Sequence, residues 1–249
     1  MSRLVLLIAF LAGGWVLIPG NQCPDGPYAA TFSIVAYDPV TKEWGVGVAS
    51  KFLAVGGVVP HGKAGVGAVA TQAFVNYALG PKGVDLLAEG KTAAEALEEL
   101  KKSDRLIEMR QLGLVDRQGD AVTFTGKKCM AYAGGKTGKH FACQGNILAG
   151  EKVVDAMARS YEEQAKMPLP WRIWSALDAA DKAGGDKRGK QSAALFVVRE
   201  RGGPNGVGDR YIDLRVDDSK EPVEELGRIL GLRLPKPKVK PEKAPRKDS

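Results

Sequence analysis

Apolar and polar positions alternate at the start of "TFSIVAYD" (31–38). Phe32, Ile34 and Ala36 fall on one face, and Thr31, Ser33 and Val35 on the other. A period of two marks a β-strand, predicted here over Thr31–Tyr37. The turn "DPVTKE" sends the chain back through "WGVGVAS" (44–50), where Trp44, Val46, Val48 and Ser50 share one face. Gly45, Gly47 and Ala49 make up the other, a surface small enough to let another layer approach closely. "GVGAVATQ" (65–72) reads as a third strand, similarly small and apolar.

Helical patterns follow. One covers "GPKGVDLLAEG" (80–90); another covers "TAAEALEELKKSD" (92–104), where Thr92 and Glu95 have capping-box spacing. "LGLVDRQGDAVTFTG" reads as a hairpin turned at "RQGD". Helices are predicted over 150–166, with Val153, Val154, Met157 and Tyr161 on one face, and over 170–183, with Trp171, Trp174 and Leu177. Strands "SAALFVVRE" and "RYIDLRVDD" come next, then a helix opened by Pro222 with Val223, Leu226 and Leu230 inward. Asp213, Arg215 and Asp217 form the polar side of a half-buried strand. Hairpins outnumber strand–helix–strand crossovers, so an α+β fold is expected, with antiparallel sheets and helices layered outside them.

The chain has 249 residues, 44% hydrophobic and 26% charged, ordinary for a globular protein with one good core or two small ones. Its net charge of +7 is unevenly placed. Lys236, Lys238, Lys240, Lys243, Arg246 and Lys247 crowd the C-terminal stretch against Glu242 and Asp248, leaving roughly +3 for the rest. That excludes a strongly basic nucleic-acid binder, and residues 235–249 read as a disordered Pro/Lys tail. At the other end Arg3 precedes an apolar run from Leu4 to Ile18, shorter than the roughly twenty residues that span a bilayer. Residues 1–30 therefore read as a signal peptide or leader, with an uncleaved anchor as the alternative. The expectation is export, periplasmic or extracellular. Ala29 and Ala30 permit a cut before Thr31, although Tyr28 is bulky for its place three residues before it.

Cys129 and Cys143 flank a glycine-centred segment. In a hairpin centred near Lys136 they would face each other, and an oxidising compartment would favour a disulfide; two free thiols are the alternative. Cys23 lies in the leader.

Several familiar motifs fail. "GVVPHGKA" (57–64) has Ala64 where a phosphate loop needs Ser or Thr, and Pro60 removes an amide donor. "GVGAVA" (65–70) imitates a dinucleotide fingerprint inside a strand-like run. His61 and His140 are the only histidines, so a histidine-based metal site or serine–histidine triad is poorly supplied. Neither metal nor cofactor is expected. An enzyme built this way must activate its nucleophile without histidine, and an N-terminal threonine whose α-amine takes the hydroxyl proton is one solution. The α-amine pKa of about 7.7–8.0 suits a base near neutrality.

"TFSIVAYDPVTKEWGVGVASKFLAVGGVVPHGKAGVGAVATQA", "QGNILAG", "GGDKRGKQSAALFVVRE" and "DRYIDLRVDD", in that order, resemble a bacterial family catalogued as domain of unknown function ten-twenty-eight. That family is placed in the N-terminal-nucleophile (Ntn) hydrolase superfamily. The resemblance runs from about Thr31 to Leu232 and implies a four-layer αββα sandwich over 31–234. It also implies a strand-leading threonine, Thr31, followed some thirty residues later by a cation, Lys63. The acidic-Ser-Arg stretch of proteasome-type members is replaced by Ala49, Ser50 and Lys51, which removes a carboxylate. "CQGN" brings Gln144 and Asn146 to the place of a "GSG" element, as oxyanion donors or substrate contacts. "GGDKRGKQS" would add Asp186, Arg188, Gln191 and Ser192 near the same end.

Each residue has a plainer reading beside this one. Thr31 suits a strand start, Lys63 a solvated loop, and Ser50 either a second nucleophile or a satisfied strand-end hydroxyl. Gln144 and Asn146 suit a helix cap near Gly150, and Asp186 with Arg188 a turn ion pair. Two functions follow. One is an exported amidohydrolase with Thr31 as nucleophile and base, acting on an amide-containing small molecule or peptide. The other is a non-catalytic protein of the same fold that holds a peptide or cell-wall fragment. A homo-oligomer is compatible with either.

Overall fold

The computed structural model describes residues 28–29 and 31–237. The leader before Tyr28, Cys23 within it, Ala30, and the tail beyond residue 237 lie outside the described residues.

The strands are β1 Tyr28–Ala29, β2 Thr31–Asp38, β3 Glu43–Ser50, β4 Pro60–Lys63, β5 Gly67–Phe74, β6 Arg110–Asp116, β7 Ala121–Thr125, β8 Gly134–Gly138, β9 Phe141–Asn146, β10 Ser192–Val198 and β11 Arg210–Val216. The helices are α1 Leu79–Ala88, α2 Ala93–Ser103, α3 Lys152–Glu163, α4 Leu169–Lys182 and α5 Pro222–Arg233. Two antiparallel sheets result. The larger runs β11-β10-β3-β2-β9-β8; the smaller runs β1-β5-β6-β7, with β4 also pairing with β5.

Side-chain alternation stacks these sheets into four layers. Phe32, Ile34 and Ala36 join Phe141, Cys143, Ile173 and Leu177 in a core between the larger sheet and α3–α5. The opposite face of β2, through Val35 and Tyr37, meets Ala68, Ala70 and Val115 of the smaller sheet. Val69, Leu112 and Leu114 on that sheet's outer face pack under α1 and α2. The architecture is a four-layer αββα sandwich, as expected.

Gly45 and Gly47 explain how closely α4 sits on β3. A Cβ added at Gly47 would lie 2.3 Å from Ile173 Cγ2, and one at Gly45 2.6 Å from Ile173 Cδ1. The small face foreseen in the sequence is thus the helix-docking face. Helix α2 opens with the capping box: Glu95 N donates to Thr92 Oγ1 (3.3 Å) and Thr92 N to Glu95 Oε2 (2.9 Å). The hairpin at "RQGD" and the inward face of α5 also form as expected.

Two expectations fail. "PHGK", a loop by composition, is β4, because its backbone completes the edge of β5 despite Pro60. The cysteine hairpin turns at Lys139–His140 rather than near Lys136, so Cys143 faces Lys136 and not Cys129. Cys143 is buried in the helix-facing core, whereas Cys129 Sγ donates to Arg110 O (3.3 Å) beside the other sheet. Both thiols are free.

Among the described residues, no helix is long and apolar enough to cross a membrane.

Candidate functional site

The layer between the sheets is apolar at one end and polar at the other. Register sets the polar end: Ser192 pairs with Ser50, Ser50 with Thr31, and Thr31 with Asn146. Directly opposed residues project from the same face of a sheet, so these four line one row across β10, β3, β2 and β9, facing the smaller sheet. All four are buried. Thr31 Oγ1 donates to Ser50 Oγ at 3.2 Å. Ser192 is committed elsewhere: its hydroxyl accepts from Val55 N (3.0 Å) and donates to Phe52 O, holding the loop that leaves Ser50.

The smaller sheet answers with two glutamines. Gln72 on β5 and Gln111 on β6 are cross-strand partners. Gln72 Nε2 donates to Gln111 Oε1 (2.7 Å) and to the carbonyl of Thr31 (3.3 Å). Gln72 Oε1 accepts from Ser33 Oγ (2.6 Å), one inward-facing position beyond Thr31. Gln111 Nε2 donates to Gly145 O (2.8 Å) and Thr125 Oγ1 (2.8 Å), and its carbonyl accepts from Asn146 Nδ2 (3.1 Å). Gln144 Nε2 donates to Ser33 Oγ (2.7 Å), but Gln144 Oε1 is buried without a partner. A buried network of this kind specifies one arrangement of both sheets, because each member left unpaired costs about 1–3 kcal/mol. Gly113 gives Gln144 its space: a Cβ there would lie 2.4 Å from Gln144 Oε1.

Of the residues singled out from sequence, Thr31, Ser50, Gln144 and Asn146 therefore meet. Gln144 and Asn146 are strand residues of β9 and not caps of α3. Asn146 lies beside Thr31 and Gln144 beside Ser33. Asp186 stands at the rim, where its carboxylate accepts from Lys51 N (2.9 Å), Arg188 N (2.9 Å) and Arg188 Nη2 (2.9 Å). This is the turn ion pair of the plainer reading, and it pins the end of β3. Gln191 N donates to Ser50 O (3.1 Å) and its side chain turns out to Asp218.

Lys63 is not brought to Thr31. It is exposed and pairs with Gly67, five strand positions from Gln72 and so about 17 Å away along β5. There it borders a surface depression with Glu200, Arg201 and Asp209. The count of residues after Thr31 suggested a neighbour; the loop before β4 and the antiparallel return carry Lys63 past it. His61 packs edge-on against Tyr77, and burial lowers its pKa; the ring of His140 meets Gly119 O at 3.2 Å. Among the described residues, no three His, Cys, Asp or Glu side chains cluster as a metal site needs.

Ser33, Gln72 and Gln111 were missed. Their signal was present: a glutamine in an otherwise small, apolar strand ("GVGAVATQ") has to find buried partners.

Fold and site together define an αββα sandwich with a buried hydroxyl–amide row headed by a strand-leading threonine. Residues 31–226 match the Family of unknown function (DUF1028), and the chain belongs to it. The crystal structure of protein SPO2555 from Silicibacter pomeroyi, of the same family, is 28% identical with a TM-score of 0.73, covering 81% of this chain and 88% of that one. Anbu (ancestral beta-subunit) from Yersinia bercovieri is 10% identical with a TM-score of 0.33, covering 84% of this chain and 99% of that one, a likeness too low to argue from. Among proteins with curated descriptions, none matches this chain.

Proposed function

We propose that the chain is an exported amidohydrolase of the N-terminal-nucleophile type, with Thr31 as its nucleophile once the Ala30–Thr31 bond is cut. One observation carries this reading: a threonine heads a central strand and is set by register between Ser50 and Asn146, in a solvent-excluded bed of hydroxyls and amides. Such a bed holds fixed dipoles where charge develops during acyl transfer. Thr31 is fully buried while Tyr28 and Ala29 pair with β5, which fits a chain whose nucleophile is uncovered only on processing.

In the cut protein the new α-amine takes the Thr31 hydroxyl proton as Oγ1 attacks the amide carbonyl. The second N–H of Asn146 Nδ2 donates to the resulting oxyanion. The amine then passes the proton to the leaving nitrogen as the C–N bond breaks, leaving an acyl ester on Oγ1. Water, deprotonated by the same amine, hydrolyses that ester and restores Thr31. Ser50 orients the hydroxyl, and Gln72 fixes the Thr31 carbonyl. Lys63 has no part in this scheme.

A second reading, binding without turnover, is favoured by the position of Lys63, which leaves the cation of the proteasome-type pattern outside the row. Mass spectrometry of the protein recovered from its host compartment decides. A mature chain beginning at Thr31, inactive as Thr31→Ala on an amide library, supports the hydrolase. Residues retained before Thr31 sink it and leave the binding protein.

A further inference from the structure

We propose that a pocket at the opposite end of the larger sheet is a second binding site, for a small organic carboxylate with an apolar body. The pocket, 370 Å³ in volume, forms where the end of β2, the β8–β9 turn, the last turn of α3 and the start of α4 converge. Thr31 stands at the other end of β2, seven residue steps or about 24 Å away. The site is therefore independent of the proposed hydrolase.

Two polar atoms of its lining side chains call for a ligand. Tyr161 Oη and Arg172 Nε are both closed to solvent and have no hydrogen-bond partner. Buried polar groups are almost always paired, so two orphaned atoms beside one pocket need an explanation. Tyr161 cannot turn away to water. Its ring packs against Phe141 at 4.7 Å between centroids, and the Arg172 guanidinium lies 4.1 Å from the ring centre on which it stacks. Burial also pushes the phenol pKa upward, so the hydroxyl remains a donor throughout the working range.

Two unpaired donors call for acceptors, and one of the groups is cationic. A carboxylate supplies both acceptors on one carbon, one oxygen for Arg172 Nε and the other for Tyr161 Oη; since both atoms are closed to solvent, its entry requires the arginine side chain to move off the Tyr161 ring. The apolar body follows from the rest of the lining, where Pro39, Val40, Phe141 and Ala165 contribute. Of the acids nearby, Asp38 is engaged by Val40 N (2.8 Å) and Thr41 N (3.3 Å) within its own turn. Glu162 is the acid that opposes an anion here, and Lys139 of the facing turn offsets it.

The test is calorimetric titration of the full chain with 3-phenylpropionate and with 3-phenylpropanol, which share a body and differ in the head group. The acid is expected to bind with a Kd of about 1 mM or tighter, and the alcohol at least about tenfold more weakly. Tyr161→Phe and Arg172→Gln should each weaken the acid about tenfold, while Lys63→Ala leaves it unchanged. Equal binding of acid and alcohol, no binding of the acid at about 10 mM, or full binding by Tyr161→Phe overturns the proposal. Melting without ligand separates binding from structure. Tyr161→Phe keeps the ring and deletes only the orphan, so its Tm should equal or exceed that of the parent. A fall in Tm would show that the hydroxyl is already satisfied and would overturn the site.

Discussion

Gln72 and Gln111 face each other across β5 and β6 and share a 2.7 Å hydrogen bond in the middle of the sandwich, fully shielded from water. Gln111 also serves Asn146 and Gly145 of the opposite sheet, so this one side chain ties both layers at the polar end. Gln111→Leu should leave one N–H of Gln72 and one of Asn146 without an acceptor and destabilise the chain by about 1–3 kcal/mol for each donor left unpaired. Urea unfolding checks it; a loss below about 0.5 kcal/mol would mean that the network is not closed as described.

Gly113 should resist even alanine. Its added methyl would collide with Gln144, which is held on its other side by Ser33. A loss of about 1–3 kcal/mol is expected for Gly113→Ala. Pairing the change with Gln144→Ala, which vacates the space, should recover most of it in a double-mutant cycle.

For the hydrolase reading, Thr31→Ala should lower turnover of a responsive amide by on the order of 10⁴-fold. Thr31→Ser keeps a hydroxyl and should retain measurable activity. Ser50→Ala, which removes an orienting group and not the nucleophile, should reduce kcat by no more than about 10²-fold. Greater damage from Ser50→Ala than from Thr31→Ala would exchange their roles.

Acid should find a weak point in the buried pair of Asp104 and Arg110, 2.9 Å apart. Burial works against ionisation of Asp104, but hydrogen bonds from Asn76, Leu106 N and Arg110 outweigh it and hold the carboxyl below its ordinary range. A depressed carboxylate pKa gives stability that is present above the unfolded value of about 3.9 and is lost as pH falls through the folded value. Asp104→Asn should remove this part of the acid limb from a stability–pH curve. At neutral pH it should lose about 3–5 kcal/mol, because Arg110 is left buried and uncompensated.

Neither Cys129 nor Cys143 should alkylate readily in the folded chain at pH 8. Burial pushes the Cys129 thiol up to about 11 and that of Cys143 well above its usual value, so at Cys129 only on the order of one thiol in a thousand is ionised. Iodoacetamide followed by peptide mapping should label both only after unfolding. A non-reduced map should contain no peptide linking them.

Periodicity made the layers legible. β2 and β3 alternate cleanly, and the glycine face of β3 pointed to a close neighbour that proved to be α4. Thr31 and Ser50 meet because the short turn between β2 and β3 sets their register, whereas Asn146, about a hundred residues further on, is placed beside Thr31 from sequence only by the family resemblance. Lys63 could not be placed: its distance depends on how a loop and an edge strand return, which residue counts do not encode. Gln72 and Gln111 do not stand out in the sequence because strand composition speaks to packing, whereas their importance lies in the hydrogen bonds that a buried amide must complete. The hairpin holding Cys143 turns a few residues later than its glycines suggest, and that slip is enough to separate the two sulfurs onto different layers.

β1 and β2 are consecutive in the chain, yet they belong to different sheets, with one residue between Ala29 and Thr31. The chain is thus a covalent stitch across one corner of the sandwich, and among the described residues it rests on the smaller sheet through two residue pairs, Tyr28 with Phe74 and Ala29 with Ala73. A cut there, as the proposed function requires, would do more than expose a hydroxyl: it would unpin that corner and free an edge of β5. Amide exchange at Ala73 and Phe74 would then report, ahead of any substrate, whether the seam has been opened.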